Sequence, residues 1–593
     1  MHQEGSGSAG TIPIFRVDSG RTVRNAARTA ATIETRPATR VCTVDRCSED
    51  GSSAVEELAR RLGLRTSPHI FFWSSGLMVL FLVLLLVFPD PIGAAFGAGR
   101  EWIVTNLGWF FILGVTSWLI FLIWIAVSRH GTLRLGKDTD RPAYSNLSWF
   151  AMLFAGGIGT VLMFWGVAEP ISHFTTPPFA GVQPFSAQAA QDAMAISLYH
   201  LSLHTWAIFT LPGLAFGYFI YRYDLPMRVS SVFYPFLKER IHGPIGRTID
   251  VFAVLGTLFG LAVSLGLGTS QINAGLTDLI GVPDVVWPKV VIITILTIVA
   301  TASIVAGLDK GVKRLSNLNI LMAVGLMVFV LVTGNTVFLL RQMIESIGIY
   351  AQEIIPLSFW NDAMSRFTKE GGWGWQGGWT VFYWAWTVTW SPFMGVFLAR
   401  ISRGRTIRQF VAGVLVAPSA FTLVWFVIFG WSAMELDGIG GTGGPISAAV
   451  AESVPLAMFE FFTNFPAGTF VSGVAVVVVA LFFATSSDSA SLVVDMLCSG
   501  TGDAGPVRQR VFWGVSEGVL AASLIVLGGT AGLTALQQVI TVIGLPIFIL
   551  VFAMMFALVV GLRNEATASP APVPRAERET GEPAVENDEA RSG

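Results

Sequence analysis

Residues 374–399 read GWQGGWTVFYWAWTVTWSPFMGVFLA and contain no charged side chain. A membrane-spanning α-helix needs about 20 predominantly apolar residues, so this stretch is long enough to cross a bilayer. The whole chain is 53% hydrophobic and 13% charged, whereas about a quarter of the residues of a soluble globular protein are charged. The sequence therefore predicts an all-α membrane protein with about twelve transmembrane helices. In chain order, the predicted segments are 69–89, 105–128, 147–172, 187–221, 248–281, 286–307, 316–340, 374–399, 409–433, 466–498, 511–528 and 534–562.

Basic residues follow the even-numbered segments, and the intervening loops carry few of them. By the positive-inside rule this alternation places both termini in the cytoplasm. The basic residues are Arg129, Arg134, Lys137 and Arg141 after the second segment, Arg222, Arg228, Lys238, Arg240 and Arg247 after the fourth, Lys310, Lys313 and Arg314 after the sixth, Arg400, Arg403, Arg405 and Arg408 after the eighth, and Arg508 and Arg510 after the tenth.

Three parts of the chain fall outside the predicted segments. Residues 1–66 lack an apolar period and predict a flexible cytoplasmic tail, in which Cys42 and Cys47 are either unreactive thiols or a pair that holds a metal or a disulfide. Residues 563–593 are acidic and predict a disordered cytoplasmic tail, leaving 67–562 as the transporter domain. The linker from Arg341 to Gly372 predicts either an amphipathic helix at the outer interface or a solvated loop.

Two segments contain signals for a helix interruption. Residues 155–160 of the third segment read AGGIGT, and residues 390–392 of the eighth read WSP. Glycines such as Gly157 and Gly159 can unwind a helix, and Pro392 must free a carbonyl one turn earlier. The two signals lie five segments apart, which predicts inverted repeats formed by helices 3–7 and 8–12, with a binding site at the midplane. Alternatively, the glycines only allow close helix packing.

The tenth segment contains the hydroxyl-rich run TSSDSAS at residues 485–491. Hydroxyl oxygens suit a small cation such as sodium, although such side chains often bond back to their own helix. An acidic side chain within a span is costly and marks a functional position. Asp488 is therefore predicted to act as a gate, as a proton carrier or in a contact at a helix end.

The eighth segment is also rich in tryptophan. Indole faces attract cations that cannot donate hydrogen bonds, which favours a trimethylammonium ligand for Trp386 and Trp390, four residues apart on one helix face. Packing in an interfacial aromatic belt is the alternative, and it is the better interpretation of Trp379. In the fourth segment His204 either titrates or is a hydrogen-bonded structural histidine. It shares a surface with Leu201, Trp206 and Phe209.

These motifs resemble the betaine/carnitine/choline transporter family over about residues 66–562. The matching stretches are GWTVFYWAW at 378–386, LMFWG at 162–166 with Glu169-Pro170, SLGLG at 264–268 with Gln271-Ile272-Asn273, and SPF at 391–393 with FLARISRGR at 397–405. Within the family the chain most resembles bacterial glycine betaine permeases, which are sodium-coupled, osmotically regulated trimers.

The resemblance implies roles for individual residues. The sodium ligands would be the carbonyls of Ala155, Ile158 and Phe482 and the hydroxyls of Thr485 and Ser486. The substrate site would include Leu201, Trp206, Phe209 and Thr387 beside Trp386 and Trp390. Betaine permeases have aromatic rings at all of the first four positions, and Leu201 and Thr387 lack one, so the resemblance leaves betaine specificity open.

The predicted function is import of a compatible solute or quaternary ammonium zwitterion by sodium-coupled symport with alternating access. Proton-coupled transport of choline or an amino acid, with Asp488 or His204 as proton carrier, is one alternative, and an osmosensor built on a transporter scaffold is another. The spans contain no paired nucleophile and base, so an enzyme is not expected. Sodium is the expected coupling ion, with no cofactor and no other metal. The expected partners are the small-molecule substrate and the lipid bilayer of the cell membrane. No nucleic-acid partner is expected. The resemblance implies a homotrimer.

Overall fold

The computed structural model describes residues 54–155, 159–306, 311–364, 374–529 and 532–568, which contain helices and no β-strand. A π-helical turn, Val427–Trp431, joins two of the helices, α15 and α16. The helices are α1 (Ala54–Arg61), α2 (Pro68–Val87), α3 (Pro89–Val127), α4 (Asn146–Ala155), α5 (Gly159–Thr175), α6 (Ala187–Leu201), α7 (Leu203–Tyr223), α8 (Tyr234–Leu237), α9 (Pro244–Ile280), α10 (Val286–Ala306), α11 (Gly311–Thr333), α12 (Thr336–Phe359), α13 (Trp375–Gly378), α14 (Thr380–Ile401), α15 (Ile407–Phe426), α16 (Ser432–Asp437), α17 (Pro445–Glu452), α18 (Ala457–Thr463), α19 (Gly468–Ser499), α20 (Val507–Gly528) and α21 (Gly532–Ala568).

The apolar segments predicted from the sequence are helical over most of their described length. Among the described residues, nine helices are long and apolar enough to cross a membrane, and there are ten if the bent pair α11 and α12 forms one span. The third segment is divided between α4 and α5, and the tryptophans, threonines and proline of α14 lower its hydropathy. An all-helical membrane architecture is therefore confirmed, and the number of twelve spans stays a prediction.

One predicted interruption is wrong. Pro392 lies inside α14, which continues from Thr380 to Ile401. The irregularity in this part of the chain comes earlier, at Trp379 between α13 and α14, where φ is −118° and ψ is −82°. Neighbouring helices pack around α14, and such packing allows a proline within a membrane helix. The interruption expected in the third segment falls at 156–158, between α4 and α5, outside the described residues.

A further irregularity in the fourth segment was not predicted. Ser202 separates α6 from α7 with φ −105° and ψ −120°. The Thr205 hydroxyl donates to the His200 carbonyl across this point, at 2.5 Å. A buried side chain thus satisfies a carbonyl that the irregular backbone leaves free.

The linker after the seventh segment is helical over much of its length, so the helix alternative is correct. α12 turns away from α11 by 114°. Its exposed apolar residues include Val337, Leu340 and Ile344, spaced three and four apart along one face.

The segments predicted to be cytoplasmic meet at one end of the helices. Their contacts include Leu135 N to Arg405 O (2.9 Å), Gly404 N to Leu135 O (2.7 Å), Met227 N to Gly500 O (3.0 Å), Ser67 N to Cys498 O (3.0 Å) and the ion pair of Arg222 with Glu565. At the other end, the loops before α6 and after α16 meet through Gly440 N and Phe185 O (2.7 Å), and Asn335 donates to Glu435 (2.6 Å). The described basic loops therefore lie at one end, and the acidic residues Glu435 and Asp437 after the ninth segment lie at the other.

The two predicted tails are described only where they join the helices. Residues 54–66 contain α1, and α21 continues to Ala568, beyond the predicted boundary at 562. The other residues of both tails, including Cys42 and Cys47, lie outside the described residues.

α14 is the most central helix for the candidate site. It packs against α7, α9 and α21 and is buried along most of its length. Glycines allow these close approaches: Gly260 on α9 faces Thr389, and Gly544 on α21 faces the backbone of Ala385. A side chain at either glycine would have to displace α14, since membrane helices approach this closely only where small residues face each other.

Candidate functional site

Two tryptophans on α14 share one hydrogen-bond acceptor on α9. The indole Nε1 of Trp386 lies 2.9 Å from Ser264 Oγ, and that of Trp390 lies 3.1 Å from the same oxygen. Ser264 donates its own proton to the Gly260 carbonyl at 3.0 Å. Because the hydroxyl uses its proton toward Gly260, its lone pairs accept both indoles. The edges of both rings are thus fixed in position.

Aromatic neighbours support the same two indoles. The Phe382 ring is stacked on Trp386 with centroids 5.6 Å apart and an interplanar angle of 14°. Phe393 meets Trp390 edge to face at 5.9 Å. Trp386 and Trp390 are 4% and 7% exposed, so the pair forms a rigid, buried aromatic surface next to α9.

The other predicted substrate residues lie on the adjoining helices. Trp206 and Phe209 on α7 form an edge-to-face pair with centroids 5.7 Å apart. Leu201 ends α6 just before the irregularity at Ser202, and Thr387 follows Trp386 on α14. All four are buried. Since α7 packs on α14, the two predicted groups lie on neighbouring helices.

A buried polar network beside this region was not predicted from the sequence. Glu169 on α5 accepts a hydrogen bond from the Tyr383 hydroxyl at 2.6 Å, and its other oxygen lies 2.6 Å from His200 Nδ1. His200 Nε2 is 2.9 Å from the Thr380 hydroxyl. His173 Nε2 lies 3.4 Å from Glu169. The network joins α5, α6 and α14, and the spacing of Glu169 and His173, one helical turn apart, was its signal in the sequence.

This network also has the donor set of a metal site. Ligand atoms of Glu169, His173 and His200 lie within 4.8 Å of one another, and imidazole with carboxylate suits several divalent metals. A metal would have to replace the contact between His200 and Glu169, which already has hydrogen-bond geometry. The arrangement therefore supports a hydrogen-bond network that fixes α14 against α5 and α6.

A cavity of about 640 Å³ adjoins this network, at the end of the helices where Glu435 and Asp437 lie. Trp375 and Trp379 line it together with the hydroxyls of Ser172, Thr175 and Thr176. His173 packs edge to face on Trp379, with ring centroids 4.4 Å apart. The cavity combines aromatic surface with hydroxyls and therefore suits a small polar solute.

The expected sodium ligands are only partly described. Phe482 and Thr485 lie on α19, where the Thr485 hydroxyl lies 2.9 Å from the Leu481 carbonyl and 3.1 Å from the Phe482 carbonyl and donates its proton to its own helix. Its lone pairs stay available to a cation. Ser486 is half-buried next to it. Ala155 is the last residue of α4, and Ile158 and Gly157 lie outside the described residues.

Gly159 brings the start of α5 onto α19. A Cβ atom at this position would overlap the Phe482 ring, so only glycine allows this approach. The structure thus places one described side of the interruption in the third segment directly against the helix that carries Phe482, Thr485 and Ser486. A cavity of about 520 Å³ adjoins this contact and is lined by Gly159, Phe482 and Trp425, among others.

The two candidate proton carriers differ in their surroundings. His204 Nε2 lies 3.0 Å from the Ser358 hydroxyl and its ring stacks on Trp384, while its Nδ1 is buried without a hydrogen-bond partner. Asp488 accepts one hydrogen bond, from Ser303 on α10 at 3.0 Å, and its Oδ1 is buried without a hydrogen-bond partner.

The sequence was compared with known families and proteins. The sequence model of the betaine/carnitine/choline family of transporters matches residues 69–567. An ectoine/glycine betaine/proline transporter of Corynebacterium glutamicum is 46% identical over 507 residues, which cover 85% of this chain and 82% of that protein. A glycine betaine transporter of Acinetobacter baylyi is 40% identical over 84% of this chain and 74% of its own length. A high-affinity choline transport protein of Escherichia coli is 40% identical over 84% of this chain and 73% of its own length.

Proposed function

Because the chain belongs to the betaine/carnitine/choline family of transporters, we propose that it imports a glycine betaine-like solute by sodium-coupled symport. Members of this family are multi-pass proteins of the plasma membrane, and the chain is a transporter rather than an enzyme. The substrate class follows from the relatives, whose names specify glycine betaine, choline, ectoine and proline.

The observation that carries the proposal is the indole pair held by Ser264. A quaternary ammonium group cannot donate a hydrogen bond, so a protein attracts it through aromatic faces, each contributing about 0.5–2 kcal/mol. Trp386 and Trp390 already have their N–H groups paired, and only their faces are available to a ligand. Trp206 and Phe209 on α7 would complete the site from the facing helix.

Sodium coupling is proposed from the arrangement at α19. The Phe482 ring contacts the start of α5 at Gly159, Thr485 follows on the same helix as Phe482, and Ala155 ends α4. The carbonyls of Phe482 and Ala155 and the hydroxyl of Thr485 are oxygen ligands that suit a hard monovalent cation. Together with Ser486 and Ile158 they would form the ion site between the third and tenth segments.

We also propose twelve spans in two inverted repeats, formed by helices 3–7 and 8–12, that move by alternating access. Both the fourth and the ninth segments, which correspond in the two repeats, are irregular, at Ser202 and at Val427–Trp431. The basic loops gather at one end, which we propose to be cytoplasmic together with both termini. A homotrimer is proposed from family resemblance alone.

Choline is the second candidate substrate. It has the same trimethylammonium group as glycine betaine but lacks the carboxylate. The Escherichia coli relative is a choline transport protein, and Leu201 and Thr387 stand where betaine permeases have rings. A site with fewer rings would distinguish less sharply between the two solutes.

The test is a competition screen in proteoliposomes that contain the purified protein. Uptake of labelled glycine betaine would be measured with an inward sodium gradient and with potassium in its place, in competition with choline, carnitine, proline and ectoine. We expect sodium-dependent uptake that at least one quaternary ammonium solute inhibits. Uptake that is unchanged without sodium would contradict the coupling, and the failure of all five solutes to bind would contradict the substrate class.

A further inference from the structure

A further acidic residue lies within the helices and is not part of the proposed sodium or substrate sites. Glu517 on α20 is fully buried. Its Oε2 accepts a hydrogen bond from Ser487 at 2.9 Å, and its Oε1 lies 3.2 Å from the Ser491 hydroxyl. Both serines are on α19. A Cβ at Gly514, one turn before Glu517, would lie 3.1 Å from Ser491 Oγ, so this glycine allows α19 to come close.

The hydrogen bonds around Glu517 indicate its protonation state. The Ser491 hydroxyl also lies 2.9 Å from the Ser487 carbonyl, with which it forms the back-bond common for serine in helices. A hydroxyl has a single proton to donate. If Glu517 were ionised, one of the two contacts of Ser491 would place two acceptors against each other. If Glu517 carries a proton, its O–H donates to Ser491, Ser491 donates to the carbonyl, and every contact is satisfied.

The surroundings of Glu517 also favour the neutral form. Its two side-chain partners are uncharged hydroxyls, and an ionised carboxylate within hydrocarbon is costly unless it is paired. The nearby charge that acts on it is Asp488, which has the same sign, whereas the positive charge of Arg510 acts on Asp488. In the described parts of the helices that pack on α20, and on α20 itself, the charged and titratable groups are His69, Arg247, Asp250, Asp278, Lys289, Asp488, Asp495, Cys498, Arg508, Arg510, Arg563 and Glu565.

We propose that Glu517 is a proton-binding site, and that the form protonated at this carboxyl is the one competent for solute uptake. The proton sits on Oε1 and is donated to Ser491; on release it leaves an anion that only Ser487 still solvates. The site binds a proton rather than sodium, because a metal cation needs more oxygen ligands than the two hydroxyls around Glu517 supply.

α19 connects this site to the proposed sodium site. Ser487 directly follows Ser486, and a helix turns about 100° per residue, so the two hydroxyls point to different neighbours. A shift of α19 on sodium binding would therefore change the hydrogen bond from Ser487 to Glu517. The inference rests on the proposed function in one respect, because the experiment measures the effect of Glu517 through solute uptake.

The experiment measures the initial rate of labelled glycine betaine uptake in proteoliposomes at fixed sodium gradient, from about pH 5.5 to about pH 8.5. We expect the wild-type rate to fall as pH rises, by up to about tenfold per pH unit above the midpoint, as for loss of one proton. E517Q mimics the protonated side chain in shape and donor capacity, and its rate should stay flat. S491A removes the acceptor for the proton and should move the midpoint to lower pH.

S523A is the matched control, because Ser523 is on the same helix and bonds only to its own backbone, at 2.8 Å from the Val519 carbonyl. It should keep the wild-type profile. A wild-type rate that does not change with pH, or an E517Q profile that matches wild type, overturns the proposal and leaves sodium-coupled import intact. If E517Q folds but does not accumulate solute, its exchange of external labelled for internal unlabelled glycine betaine (counterflow) is measured. Counterflow by E517Q at the wild-type rate supports the proposal. Loss of counterflow together with an unchanged S491A profile overturns it.

Discussion

The contact between α14 and α9 and the contact between α19 and α20 use their polar atoms in different ways. At the first, both indole N–H groups converge on Ser264, whose own proton is donated to Gly260. At the second, Asp488 has a buried oxygen without a hydrogen-bond partner, and the contacts of Glu517 are satisfied only if it is protonated.

This difference suggests a division of roles. Trp386 and Trp390 have both N–H groups bonded before a ligand arrives, so this pair loses little entropy on binding, as expected for recognition of a solute. A site with an unfulfilled polar group is costly to maintain in hydrocarbon, and it changes its preferred arrangement when an ion or proton arrives. Variants on α14 and α9 should therefore alter solute affinity, whereas variants on α19 and α20 should alter the dependence on ions.

The largest effect is expected for the aromatic residues. W386L and W206L remove an indole face and should raise the dissociation constant for glycine betaine by about 30-fold each, which corresponds to about 2 kcal/mol. Equilibrium binding of labelled solute at saturating sodium measures this change. W118L is the control, because Trp118 is equally buried but packs on Phe548 at 4.6 Å, away from the site. Unchanged binding in both site variants would exclude an aromatic cage at this position.

A smaller effect is expected for the ion-binding hydroxyls. T485A combined with S486A should raise the sodium concentration for half-maximal uptake by about 10-fold, since each hydroxyl contributes about as much as one hydrogen bond. Solute affinity at saturating sodium should change little. T257A is a suitable control, because Thr257 also bonds to its own helix, at 2.9 Å from the Ala253 carbonyl. If the sodium response of the double variant equals that of T257A, the coupling ion binds elsewhere.

The smallest effect is expected for Ser264. S264A leaves both indoles in place but removes their common acceptor, and should weaken glycine betaine binding by about fivefold, near 1 kcal/mol. S270A provides a close comparison, since Ser264 and Ser270 are both on α9 and each donates to a carbonyl one turn earlier at 3.0 Å. Only Ser264 accepts indoles. Equal binding by the two variants would mean that the shared acceptor does not orient the pair.

The positions of the helices could be predicted from the sequence because an apolar run long enough to span a bilayer is a local property. The consequence of Pro392 could not, since whether a proline interrupts a helix depends on the helices around it. For the same reason the sequence identified Trp386 and Trp390 but not Ser264. That serine becomes an acceptor only because Gly260 lets α9 pack against α14.

Glu169 and Glu517 could have been predicted from the sequence as candidate functional residues, as Asp488 was. Asp488 was identified because it is an acidic side chain within a predicted span, in the hydroxyl-rich run at 485–491. Glu169 and Glu517 lie among apolar residues and were not selected, although any carboxyl within a span is a candidate functional group. Their partners come from other helices, Tyr383 and His200 for Glu169 and two serines of α19 for Glu517. Such partners cannot be inferred from spacing along one chain.

The most direct test is a structure determined with glycine betaine and sodium bound. We expect the trimethylammonium group within about 6 Å of the ring centroids of Trp386 or Trp390, the range in which an indole face attracts a cation. Density for the solute only in the cavity lined by Trp375 and Trp379, with none at Trp386 and Trp390, would contradict the account.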